Sequence, residues 1–130
     1  MNPAIIITYP AAPDTPVTAR IEGKFVQLRL KNEEYLVFAE AGLHRFHNQI
    51  LAQFLTDRGL PHRWRDDQTL EVDLPEFAVS GGGRFRADPE TRTLELWNSS
   101  QAYGRFEERG LPEKIAAAGH AWSGFTIRIA

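Results

Sequence analysis

The run IEGKFVQLRL, from Ile21 to Leu30, constrains the fold of this chain more than any other segment. Its alternation puts Phe25, Gln27 and Arg29 on one face of a strand and Val26, Leu28 and Leu30 on the other, with Lys24 near the beginning. Further β-rich runs surround it: the β-branched Ile5 to Thr8, then Tyr35 to Phe38, the alternating Thr69 to Leu74, Phe77 to Val79, and a closing strand within Gly124 to Ile129. Arg84 to Arg86, the turn Asp88-Pro89-Glu90 and Thr93 to Trp97 read as a hairpin whose loop exceeds the ideal two residues. Pro10, Pro13 and Pro16 mark a Pro/Ala loop after the first run.

Two stretches change period. Leu43, Phe46, Ile50, Leu51, Phe54 and Leu55 recur at helical spacing, and the helix they predict ends near Gly59, with Pro61 behind it. Pro112 suits the first turn of a second helix running through Lys114 and Ile115 to about Gly119. Strands punctuated by two helices predict an α/β (α+β) fold with a mixed sheet and helices packed on its faces. The 130 residues, 42% apolar, suffice for one core, so a single domain spanning 1–130 is expected.

Composition narrows the function. Fifteen Lys and Arg against seventeen Asp and Glu give a formal charge of −2, so no global basic field recruits nucleic acid or an anionic membrane. Any anion site must be local. The absence of cysteine removes disulfides, thiolate ligands and cysteine-based phosphatase chemistry, leaving histidine as the neutral-pH nucleophile or base. The opening MNPAIIITYP has no basic segment, and its apolar run from Ala4 to Ile7 is shorter than the ~7–15 residues of a secretory leader. A cytoplasmic, untargeted protein is expected.

Four features could carry chemistry. On the first helix, a projection at 100° per residue places His47 between Phe54 and Leu51, inside the apolar sector. A core histidine with satisfied ring nitrogens is the plainest reading of that pattern. Its place near the first turn adds another, because burial and the positive helix end both oppose the imidazolium and keep a neutral base available, while the same amides attract phosphate. His44 makes an i,i+3 pair with it that could begin a metal site, but zinc needs more ligands, and His62 and His120 are not placed to supply them.

The second feature, Gly81-Gly82-Gly83-Arg84, lies between two expected strands. Its glycines could admit a ligand closely and Arg84 offers a planar fork for phosphate, although without Gly-Lys-Ser/Thr it equally suits a bulged or tight connection. The third, Ser100-Gln101-Ala102-Tyr103-Gly104, is a small polar turn able to present consecutive amides to an anion, with the Ser100 hydroxyl as a further donor. The fourth, Lys24, could neutralise a transferring phosphoryl group or simply lie exposed at a strand end.

In this order and combination the features resemble the Janus/Ocnus family of phosphohistidine phosphatases. Gly23 to Leu30 is similar to the family's lysine-bearing strand and Arg45-Phe46-His47-Asn48-Gln49-Ile50 to its catalytic-histidine helix. Gly81 to Arg84 is similar to its glycine-rich signature, Ser100 to Gly104 to its phosphate-binding turn, and Glu113-Lys114-Ile115 to the helix after it. The similarity runs from about Gly23 to Phe125, leaving residues 1–20 outside it.

The resemblance implies a mainly six-stranded mixed sheet flanked by two helices and hydrolysis of an N-linked phosphate. His47 would be the catalytic acid/base or the attacking nucleophile, Lys24 a substrate ligand and Ser100 to Ala102 a backbone cradle for phosphate. Arg84 would lie near the site, with Gly81, Gly82, Gly83, Tyr103 and Gly104 in support. No metal or organic cofactor is implied. The substrate would be a phosphorylated protein or a small phosphoramidate, and a monomer is expected.

The chain departs from the family's animal members in a shorter connection between the Lys24 strand and the His47 helix and in a longer stretch from Leu60 to Ser80. Trp64, Arg65, Asp66 and Asp67 in that stretch have no counterpart. A rival reading keeps the anion nest without catalysis, as a phosphate- or phosphoprotein-binding regulatory module using the 60–80 insertion. The blandest reading is a structural domain with His47 in its core.

Overall fold

The computed structural model describes residues 3–9 and 20–130. The Pro/Ala loop expected around Pro10 to Pro16 lies outside them. The elements are β1 (Ile5–Tyr9), β2 (Ile21–Leu30), β3 (Glu33–Glu40), α1 (His47–Asp57), β4 (Arg63–Trp64), β5 (Leu70–Glu71), β6 (Phe77–Asp88), β7 (Thr93–Trp97), α2 (Leu111–Ala116) and β8 (Thr126–Ile129). Six strands form one mixed sheet in the order β1-β3-β2-β6-β7-β8, and β4 and β5 form a separate two-stranded hairpin. The outer pairs β1–β3 and β7–β8 are parallel and the inner pairs antiparallel. This is the mixed sheet with two helices that the sequence pattern predicts, with the six strands that the resemblance implies.

The alternation of β2 feeds two apolar layers. Phe25 packs with Phe38, Phe85, Leu94, Phe106, Ile115 and Trp122 on the α2 side. Val26 and Leu28 pack with Val37, Ile50, Leu51 and Phe54 under α1. Gln27 is buried within the strand, and its side chain exchanges two hydrogen bonds with the Glu107 backbone, accepting that amide at 2.7 Å. The loop before α2 is thereby pinned to the middle of the sheet.

Three local expectations need correction. Gly81 to Gly83 do not connect two strands but lie inside the continuous β6, where the pairing shifts between Gln27 and Leu28 so that Ser80 has no partner on β2. Helix α1 begins at His47 rather than with Leu43, because Gly42 turns the chain with φ +98° and Phe46 is extended. Leu43 and Phe46 therefore stand exposed instead of joining the apolar stripe. The strand expected from Thr69 to Leu74 shortens to Leu70–Glu71 and pairs with Arg63–Trp64, for which the sequence carries no alternation. Asp66 shapes that hairpin by accepting the Gln68 and Thr69 amides at 2.8 Å.

The helix ends follow ordinary chemistry. Gly59, with φ +67°, ends α1 where expected. Pro112 occupies the first turn of α2, which stops at Ala116 ahead of Gly119. No helix among the described residues is long and apolar enough to cross a membrane.

Candidate active site

His47 is the first residue of α1 and only 7% exposed. Gln49, one turn in, accepts the amides of Arg45 and Phe46 through its side chain and so holds the chain's entry into the helix. Nε2 of His47 donates to the Gly83 carbonyl at 3.0 Å. A carbonyl can only accept, so this bond puts the proton of the neutral ring on Nε2 and leaves Nδ1 with a lone pair that no described residue engages. Burial is the main cause holding the ring's pKa below its ordinary 6.5, aided by the charges of Lys24 and Arg84 and opposed by the Gly83 hydrogen bond.

The three glycines of β6 are sites of close approach. A Cβ on Gly82 would stand 2.8 Å from Cδ2 of His47 and 3.2 Å from Cβ of Ser100. On Gly81 it would meet the Arg105 carbonyl at 2.4 Å, and on Gly83 the Trp97 carbonyl at 2.6 Å. The segment after β7 can therefore lie directly on β6, where the Gly82 amide donates to the Gly104 carbonyl at 3.0 Å. Arg105 secures that segment by donating to the carbonyls of Asn98 and Ala130.

The turn from Ser100 to Gly104 closes on itself. Ser100 and Gly104 exchange backbone hydrogen bonds at 3.0 and 2.8 Å, so the Ser100 amide is occupied rather than free for an anion as expected. The Ser100 hydroxyl accepts the Tyr103 amide at 3.1 Å, which leaves its own proton to donate. The amides of Gln101 and Ala102 have no partner among the described residues. Tyr103 lies partly buried against the apolar layer under α1, and burial raises its phenol pKa.

His47 and the 100–102 turn border one cavity of about 280 Å³, completed by Phe46, Asn48 and Gln68. Lys24 and Arg84, direct partners across β2 and β6, line a neighbouring cavity rather than this one. The Lys24 ammonium donates to the Arg45 carbonyl. Partial burial, followed by the charges of Arg84 and Arg45, holds its pKa below the usual lysine range. His47, Ser100, Gln101 and Ala102 thus share a cavity, with Lys24 and Arg84 near enough to act on the imidazole through charge.

Phe46, Asn48 and Gln68 are site residues that sequence reasoning missed. Asn48 is buried beside His47 and donates from Nδ2 to the Gln68 carbonyl at 2.7 Å, tying the β4–β5 hairpin to the first turn of α1. For Phe46 and Asn48 the available signal was their place on either side of His47, and for Gln68 the unmatched length of the Leu60 to Ser80 stretch. The expected His44–His47 helical pair does not form, since His44 precedes α1 and bonds the Gln53 side chain. Among the described residues, no three His, Asp or Glu side chains converge as a metal site. Neither a known family model nor any curated protein matches this chain.

Proposed function

We propose that this chain is a metal-independent phosphatase for N-linked phosphate, on phosphohistidine, phospholysine or a small phosphoramidate, with His47 as its base or nucleophile. The observation that carries the reading is that the buried His47 imidazole and the amides of Gln101 and Ala102, unpaired among the described residues, border one cavity. The order of motifs that resembles the Janus/Ocnus family supports it. A cytoplasmic monomer is the setting the reading assumes.

In this mechanism the phosphoryl oxygens settle on the Gln101 and Ala102 amides and the Ser100 hydroxyl, where fixed donors need no reorganisation as charge develops. Lys24 and Arg84 supply positive potential from the adjoining cavity. A nitrogen already protonated from solvent departs as the neutral amine or imidazole while a water attacks phosphorus in line, passing its proton to Nδ1 of His47, which later returns it to solvent. Direct attack by Nδ1 would instead give a transient phospho-His47 that water then hydrolyses. Either route suits a site with a single acid/base, because protonating the nitrogen makes the P–N bond labile.

Incubation of the purified protein with phosphohistidine in the presence of a chelator tests the proposal. Phosphate release that His47→Ala abolishes is expected; equal release by that variant overturns the role of His47. Tight phosphate binding without turnover would instead favour the regulatory module.

A further inference from the structure

The cavity against the Gly23–Lys24 end of β2 measures about 450 Å³, within the roughly 300–1,000 Å³ that takes a small-molecule moiety rather than a lone ion. Lys24, Arg45 and Arg84 line it, with Ala39, Ala41 and Trp97 as apolar wall. None of the three cations forms an ion pair among the described residues. Glu22 also lines the cavity, but its carboxylate is held by Arg86 at 3.1 Å. Three like charges around one concavity repel each other, a cost that a bound anion relieves.

This cavity adjoins the His47 cavity along the chain itself: Arg45 lines one, while Phe46 and His47 line the other. Lys24 is already engaged with the Arg45 carbonyl, whereas the Arg45 guanidinium lies over the Phe46 ring at 5.3 Å with no carboxylate partner among the described residues. We propose that the cavity takes a second anionic group of the same substrate, a carboxylate or phosphate set beside the phosphoryl-bearing nitrogen, with Arg45 as its principal ligand. The inference rests on the His47 cavity being the phosphoryl site. It narrows the substrate from any phosphoramidate to one bearing two separated anionic groups.

Stable phosphonates test this without turnover. Alkylphosphonates, ω-carboxyalkylphosphonates and bisphosphonates of graded spacer length are titrated against the intact protein, following the amide resonances of Gln101, Ala102 and Arg45. One spacer should tighten binding by about tenfold over the matching alkylphosphonate, and comparison of its carboxylate and phosphonate forms identifies the preferred anion. Arg45→Gln should erase the gain and leave alkylphosphonate affinity unchanged, while Arg45→Lys, which keeps the charge, retains part of it. No gain at any spacer, or an equal loss for both ligand types in Arg45→Gln, overturns the second-anion site alone. Failure of every phosphonate to bind overturns the phosphoryl reading along with it.

Discussion

Cδ2 of His47 lies 2.8 Å from where a Cβ on Gly82 would stand, so the imidazole occupies the space of the side chain that β6 omits. Gly82→Ala must displace the ring or Ser100, and the Phe25 carbonyl at 2.7 Å blocks escape on the strand side. The expected result is a loss of about 1–3 kcal/mol in stability, typical of overpacking, together with at least about tenfold lower activity in the proposed phosphate-release reaction among the molecules that remain folded. Thermal unfolding and single-turnover assays below the melting transition measure the two effects separately.

Burial, with the charges of Lys24 and Arg84 beside it, gives His47 a defined pH response. Since its pKa is held below 6.5, the acidic limb of kcat/KM should fall below pH 6.5, with activity lost as the ring protonates. Lys24→Gln or Arg84→Gln removes a charge that opposes the imidazolium, so each should move that limb, and the His47 NMR titration, to higher pH. The unfolded chain takes up this proton more readily than the folded one. Stability should therefore decline as pH drops from 6.5 toward the folded pKa, and less steeply in His47→Ala.

Phe46 occupies the N-cap of α1, where Ser, Thr, Asp or Asn would serve the helix better, and it is 45% exposed. Phe46→Ser should raise stability by about 0.5–1 kcal/mol while removing one wall of the His47 cavity. A higher melting temperature combined with a higher KM is expected. A variant that gains stability with unchanged KM would show that the ring does not touch substrate.

Away from the site, Glu34 is buried, and Lys114 donates to its Oε1 at 3.3 Å while Oε2 has no partner among the described residues. Lys114→Met should cost about 3 kcal/mol by leaving that carboxylate buried and unpaired, and Glu34→Gln combined with Lys114→Met should recover much of the loss. Urea denaturation of the two variants measures the difference.

What was legible in the sequence was local. The alternation of β2 and the spacing of Ile50, Leu51, Phe54 and Leu55 report burial on a sheet face and a helix face, and each depends only on neighbours a few positions away. The start of α1 was not legible, because Leu43 and Phe46 satisfy the apolar period although Gly42 and the Gln49 side chain delay the helix until His47. The glycine triplet misleads for a similar reason. Glycine reads as a turn, yet the groups filling its missing side-chain positions come from Phe25 of β2, His47 of α1, Trp97 of β7 and the segment from Ser100 to Phe106. Asn48 and Gln68 meet across 20 residues with no pattern to announce it.

Much of this site is built from main-chain atoms: the Gly83 carbonyl that orients the imidazole, the Gly104 carbonyl that seats the turn on β6, and the amides of Gln101 and Ala102. Such a framework tolerates drift, since most side-chain replacements leave the peptide groups where they are. What it cannot absorb is one added carbon in the middle of β6 or a proline in the turn. The vocabulary of residues around this pocket can thus change widely over evolutionary time while its grammar stays the same.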